Sequence, residues 1–267
     1  MRDSVIDLAG TKLGYREAGA GATVLFLHGA AGAAWDPLLD RLSNGYRMLA
    51  PEHPGFGRGQ IPDWMMSVGD VAFFYLDLMQ ALDLRNVHLV GHGLGGWIAA
   101  EIAVKDSSRL SRLVMANAIG VKIGDRETRD IVDIWALMPD EFNALAYFNP
   151  KAGERDYKNL PEAESLAAAR NREAYARLAW SPYMHNPKLK NRLHRIKLPT
   201  LFLWGTADRV LSDKYGRGYC DLIAGAKFEP IEKAGHFPHI EQPEEFARRV
   251  LAFADAAVPA ALRTKRA

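Results

Sequence analysis

The sequence predicts an α/β protein: a mostly parallel central sheet covered by helices on both faces, with a helical cap inserted between two of its strands. Three observations carry this. Strand-like apolar runs alternate with amphipathic helical segments up to Asn117, the rhythm of a parallel sheet with crossover helices. Thr23–Leu27 is apolar on both faces and Val87–Val90 reads as a buried strand, as strands between two helical layers do. The alternation then stops from about Ala118 to Leu198 and resumes at Thr200, so one unit interrupts another.

Taken in order, Ser4–Leu8 and Lys12–Glu17 read as two short strands around the turn Ala9-Gly10-Thr11, an antiparallel start. Thr23–Leu27 is the next strand and ends in His28-Gly29-Ala30-Ala31-Gly32. A helix is expected over Asp36–Leu42. Tyr46–Ala50 is a strand that runs into the loop Pro51–Gly57. Val68–Leu82 places Val71, Phe74, Leu78 and Leu82 at helical spacing. Val87–Val90, a glycine-dense turn and a helix to about Lys105 follow, then the strand Leu110–Ala116. Between Ala118 and Leu198 the segments are amphipathic and helical, punctuated by five prolines from Pro139 to Pro187. This cap is expected to control access to a site below it. Thr200–Trp204, a helix near Ser212–Ile223, the strand Phe228–Ile231 and the helix Pro243–Phe253 complete the core. The boundaries are thus 1–117 and 199–256 for the core, 118–198 for the cap and 257–267 for a flexible tail.

At 267 residues, 48% hydrophobic and 25% charged, the chain suits one large soluble domain with an insertion. A net charge of +2 is too mild for nucleic-acid binding, which needs clustered Lys and Arg. The short basic run Arg263-Thr264-Lys265-Arg266 reads as a solvated terminus. Cys220 is the single cysteine, so no internal disulfide forms, which fits a reducing compartment. No signal-peptide core and no membrane-length apolar run are present, and a cytoplasmic location is expected. No metal-ligand spacing stands out, and neither cofactor nor membrane partner is implied.

Ligands of such folds sit beyond the carboxyl ends of the strands, and the distinctive motifs fall there. Val87–Val90 leads into Gly91-His92-Gly93-Leu94-Gly95-Gly96. A sharp strand-turn-helix of this kind lifts its apex residue above the sheet, at the positive end of the helix. The six residues also satisfy G-x-G-x-x-G, a dinucleotide fingerprint. That use requires an acid about twenty positions on to hold the ribose, and the next strand ends Met115-Ala116-Asn117-Ala118, without one. Asp208 stands in the loop after Thr200–Trp204, and His236 in Ala234-Gly235-His236-Phe237-Pro238 after the last strand. Alone, each reads as an ordinary loop residue. In this order, at successive strand ends, they read as a pair in which a buried Asp orients a His that moves protons. Other histidines read as structural: His92 packing behind the turn, His28 bonding within its loop, and His53, His88, His185, His194 and His239 with no partner visible.

Leu27-His28-Gly29, Pro54-Gly55-Phe56-Gly57, Gly91–Gly96, Trp204–Asp208 and Gly235-His236 together resemble the α/β-hydrolase superfamily from Val5 to Phe253. The nearest group is that of capped esterases and carbon–carbon bond hydrolases, the meta-cleavage product hydrolases that cleave vinylogous keto-acids. The resemblance implies a nucleophile elbow G-x-S-x-G with chain order Ser…Asp…His. It also implies an oxyanion hole made by the amides of Ala30 and Leu94. The nucleophile position is Gly93. Epoxide hydrolases and haloalkane dehalogenases, similar in cap and loops, use an Asp there instead. Trp35, Phe56, Trp135, Phe142, Phe148, Trp180, Tyr183 and Phe237 are the candidate lining of a largely apolar small-molecule pocket.

Gly93 admits two readings. In one, a serine parent is inactivated and traps ligand; the retention of every other part favours this. In the other, the protein does without a nucleophile, as a lyase or cofactor-free oxygenase using the Asp208–His236 pair, or as a ligand-binding receptor.

Overall fold

The computed structural model describes residues 1–156 and 158–256; the expected tail, 257–267, lies outside the described residues. Among the described residues eight strands form one sheet in the order β1-β2-β4-β3-β5-β6-β7-β8. They are β1 (Arg2–Leu8), β2 (Thr11–Ala18), β3 (Thr23–Leu27), β4 (Arg47–Pro51), β5 (Val87–His92), β6 (Leu110–Ala116), β7 (Thr200–Gly205) and β8 (Lys227–Ile231). Only β2 runs against its neighbours: it pairs antiparallel with β1 and β4, and every pair from β4 to β8 is parallel. Each crossover therefore carries the chain over a face, and the carboxyl ends of β3, β5, β6, β7 and β8 share one edge.

Side-chain alternation divides the core. In β3, Leu25 and Leu27 join one apolar cluster, while Val24 and Phe26 join the other. The first lies under α2 (Val68–Ala81), α3 (Leu94–Lys105) and α6 (Asp213–Asp221); the second lies under α1 (Pro37–Ser43) and α8 (Pro243–Asp255). Local signals set the helix starts. The Asp36 carboxylate accepts from the Leu39 amide at 3.1 Å before α1. Ser67 and Asp70 form a reciprocal capping box at α2.

Residues 117–199 join β6 to β7 and carry α4 (Pro139–Ala146) and α5 (Glu162–Ala179), with 3-10 turns at Pro150–Gly153 and Lys190–Arg195. The expected all-helical insertion is helical only from Pro139 onward. Before it the Asp130 carboxylate takes the amides of Ile123 and Gly124, and Asp125 takes those of Glu127 and Thr128. Such side-chain bonds offer the backbone an alternative to a helical ladder. This stretch is instead tied to neighbouring chain by the bridges Gly120↔His185 and Ile131↔Leu211. The last elements are α7 (Pro238–Glu241), which follows the His236 loop directly, and α8. Among the described residues no helix is long and apolar enough to cross a membrane.

Candidate active site

The centre of the site is the crossing of β5 into α3. Gly93 at its apex has φ 53° and ψ −112°, a conformation that costs a residue with a Cβ about 1–3 kcal/mol and glycine little. The crossing is tight: a Cβ on Gly95 would lie 2.0 Å from the Leu27 carbonyl oxygen, so only glycine lets α3 approach the end of β3. At Gly93 itself there is room. An added Cβ would meet His236 Nε2 at 3.6 Å and Gly29 Cα at 3.8 Å, both ordinary contacts. Leu94 opens α3, where amides have no intrahelical acceptor, and Ala30 follows β3 in the adjoining loop. Among the described residues neither amide has a hydrogen-bond partner. Both residues line the small cavity that Gly93 and His236 also line. Two free amides and a helix N-terminus suit negative charge developing on a carbonyl oxygen.

Asp208 and His236 meet at the ends of β7 and β8. The buried Asp208 carboxylate accepts four hydrogen bonds. Oδ1 takes the amides of Val210 and Leu211 at 2.8 and 3.0 Å; Oδ2 takes Asn117 Nδ2 at 2.6 Å and His236 Nδ1 at 2.9 Å. With the imidazole proton committed to Asp208 at Nδ1, Nε2 carries the lone pair, on the side facing Gly93. The His236 loop is fixed from three sides. Its amide donates to the Ala146 carbonyl, and its own carbonyl accepts from His92 Nε2 at 2.7 Å. Glu241 takes the Gly235 amide at 2.7 Å together with the amides of Phe148 and Asn149 from the insertion.

Asn117 is a site residue that motif reading missed. Buried just past β6 at φ 41°, it orients Asp208 and accepts from the Gly205 amide at 3.3 Å. An asparagine at the end of a central strand, in a backbone region that asparagine tolerates better than most residues, was the available signal. A second is Asn171 on α5. It donates to the Ala31 carbonyl at 2.9 Å and accepts from the Gly57 amide at 2.7 Å, joining the insertion to two core loops.

The loop bearing Ala30 rests on a buried histidine pair. The His53 amide donates to His28 Nε2, so His28 carries its proton on Nδ1 and gives it to the Gly29 carbonyl. His53 Nε2 donates to the His28 carbonyl, and its Nδ1 accepts from the Tyr75 hydroxyl at 2.5 Å. Every nitrogen is used only with both rings neutral. Burial agrees, pulling His28 down to about 4 and His53 well below the usual imidazole range. His53, read as structural with no partner visible in the sequence, takes these partners in the fold. His88 likewise meets Ser111 Oγ at 3.1 Å, and His185 the Tyr183 carbonyl at 2.8 Å. His92, expected to pack behind the turn, bonds the His236 carbonyl and also lines the cavity.

The cavity beside Gly93 measures about 40 Å³ and adjoins an outer vestibule of about 640 Å³. Ala30, Phe142, Tyr175 and Phe237 line both; Trp135 lines the vestibule, with the Arg172 guanidinium 4.7 Å over its ring. Five expected pocket aromatics lie elsewhere. Trp35 donates to Asp40 and packs under the α1/α8 face, on the wrong side of the sheet. Phe56 is fully buried edge-on beneath His28 and His53. Phe148 is half exposed beside the Glu241 anchor. Trp180 and Tyr183 line a separate cavity, where the Tyr183 hydroxyl braces Val132 and Ile134. Motif proximity located these aromatics along the chain but not the face each presents. The aliphatic lining, Ile119, Ile131, Ile134, Met184 and Val210, carries no motif and was not anticipated.

Known proteins resemble this chain in sequence and fold. The chain is 27% identical to a 2-hydroxymuconate semialdehyde hydrolase of Pseudomonas sp. (strain CF600), over 93% of both chains. It is 28% identical to a 2-hydroxy-6-oxo-2,4-heptadienoate hydrolase of Pseudomonas putida, over 90% of this chain and 92% of that one. In fold it matches a meta-cleavage product hydrolase from Pseudomonas fluorescens IP01, with TM-score 0.76, 22% identity and coverage of 94% and 96%. The enol-lactonase of Burkholderia xenovorans LB400 matches with TM-score 0.75 and 21% identity, over 95% of this chain and all of that one. Residues 24–249 match the model of the Alpha/beta hydrolase family, and with the mostly parallel sheet and the strand-end site in place, the chain belongs to that family.

Proposed function

We propose that the site is a serine-hydrolase-type centre for a small, largely apolar ester or related carbonyl compound, with glycine at the nucleophile position. His236 is the general base, Asp208 its orienting carboxylate, and the amides of Ala30 and Leu94 the oxyanion hole. The 118–198 insertion acts as a cap over the pocket. One observation carries the reading: a Cβ on Gly93 sits 3.6 Å from His236 Nε2 and meets no closer atom, so a serine hydroxyl has a place to stand within reach of the base. The names of the hydrolase relatives, whose substrates are unsaturated oxo-acids and semialdehydes, support a carbonyl substrate.

In a Gly93→Ser protein the hydroxyl oxygen attacks the substrate carbonyl carbon and His236 Nε2 takes its proton. The oxyanion forms against Ala30 and Leu94, the tetrahedral species expels its leaving group with that proton, and water then releases the acyl group. As it stands, the Gly93 chain binds the intact compound and holds it without a covalent intermediate. Loss of the serine alone costs about a million-fold in a well-studied protease. Gly93→Ser is therefore expected to raise turnover by on the order of 10⁴ or more over the unaltered chain. The assay uses activated esters, a thioester and 2-hydroxy-6-oxo-dienoates, with mass spectrometry for an acyl adduct. A folded Gly93→Ser protein with no turnover above the unaltered chain would overturn the reading. Conversion by the unaltered chain alone would instead favour proton-transfer chemistry by His236 without a nucleophile.

A further inference from the structure

The catalytic cavity is open on one side and walled on the other. It shares Ala30, Ile134, Phe142, Tyr175 and Phe237 with the vestibule; Ile131 belongs to the rest of its lining, with Ile119, Met184 and Val210. A third cavity of about 530 Å³ opens among the polar and charged side chains Lys122, Arg126, Glu127, Asp130 and Asp133 with Trp180 and Tyr183, and among the described residues Ile131 is the only one lining both it and the space beside Gly93. The backbone of this wall is fixed, because Ile131 bridges to Leu211 and the Val132 amide donates to the Val210 carbonyl at 3.3 Å. Ile131, which the two cavities share, is buried, 5% exposed.

The sizes are very unequal. A space of about 40 Å³ holds two or three water-sized groups, roughly what a carbonyl oxygen and one or two carbons fill. The vestibule is about 640 Å³, large enough for a long or cyclic substituent. We propose that Ile131 is a specificity-determining residue that restricts the ligand to carbonyl compounds with one substituent no larger than methyl or ethyl. The small substituent lies against Ile131 and the large one in the vestibule. Removing the side chain beyond Cβ opens the catalytic cavity toward the mixed space lined by Val121, Trp180 and Tyr183 together with charged groups such as Lys122, Asp130 and Asp133, and the restriction is lost. The assignment rests on the carbonyl-pocket reading above but not on catalysis, so its test is one of binding.

The probes are 2-nonanone and 5-nonanone, isomers of nearly equal hydrophobicity. One carries a methyl group and the other has butyl groups on both sides of the carbonyl. Titrated into the unaltered protein by NMR, 2-nonanone is expected to bind at least about 10-fold tighter, because excess methylenes in a closed apolar pocket are excluded by such factors. Ile131→Ala is expected to recover that factor for 5-nonanone while leaving 2-nonanone nearly unchanged. Ile131→Val, a smaller truncation that keeps the branched shape, gives an intermediate ratio should the alanine protein not fold. Trp180→Ala changes neither affinity alone but reduces the 5-nonanone gain in the Ile131→Ala background. Equal affinities for the unaltered protein, binding of neither ketone, or equal gains for both in Ile131→Ala would overturn the proposal. A Gly93→Ser protein inactive on every ester, with the ketone ratio as expected, would overturn the hydrolase reading alone.

Discussion

Position 93 shows how one side chain trades stability against chemistry. Glycine relieves a backbone strain of about 1–3 kcal/mol at φ 53°, ψ −112°, so Gly93→Ser should lower stability by an amount in that range while creating the nucleophile. Thermal melts beside the ester assay would show both changes in one protein. Asp208 is the next most exacting residue. Each of its two oxygens receives two donors. An asparagine there has one oxygen, and its NH2 must face two donors whichever way it turns. In the Gly93→Ser background, Asp208→Asn is expected to drop kcat by on the order of 10⁴ with little change in KM, because the imidazole is left in the wrong tautomer. A loss under tenfold would show that His236 is oriented by something else. Asp208 and His236 were legible because each sits in a short loop after an apolar strand, in the order a hydrolase requires. Asn117 and Asn171 were not, since their partners lie 91 and more than 100 residues away, and only the folded sheet edge brings them together.

Among the elements, β5 and α3 were legible because glycine density and two-sided apolarity leave few alternatives for a strand turning into a helix. The stretch between β6 and α4 was not, because its conformation is set by aspartates bonding backbone amides rather than by apolar spacing. Helix α5 matters through Asn171, which holds the Ala31 carbonyl and the Gly57 amide at once. The loop bearing the Ala30 amide is thereby tied to the insertion. Asn171→Leu strands a donor and an acceptor, and Asn171→Asp sets an acceptor against the Ala31 carbonyl. Each is expected to cost about 1–3 kcal/mol of stability. In the Gly93→Ser background both should lower kcat more than KM, since an oxyanion donor acts mainly in the transition state. Loss of stability with kcat intact would confine Asn171 to a structural role.

Across the whole molecule, both loops that build the site stand on buried neutral imidazoles. His28 and His53 lie beneath the Ala30 loop. His92 and His239, with rings 4.4 Å apart, lie beneath the His236 loop. Burial lowers all four: His28 to about 4, His239 to about 3, and His53 and His92 well below their usual value, with neighbouring histidines adding to the effect on His53, His92 and His239. The partially buried His88 is lowered as well. In the unfolded chain these groups titrate near 6.5. Above that pH neither state binds the proton and stability is unaffected. Between about 6.5 and 4 the unfolded chain takes up protons that the folded one refuses, so stability falls as pH falls. Each such histidine contributes about 1.4 kcal/mol per pH unit in this window, so His28 and His239 together would remove on the order of 2 kcal/mol between pH 6 and 5, and His53 and His92 act in the same direction. Calorimetric melts from pH 8 to 5 are expected to show a flat Tm down to about 7 and then a steep decline. His239→Leu should shallow the decline by about one proton's share, because among the described residues its Nδ1 has no hydrogen-bond partner to lose. A Tm unchanged between pH 7 and 5 would mean that these imidazoles accept protons without unfolding, and that the two loops are not held by neutral rings.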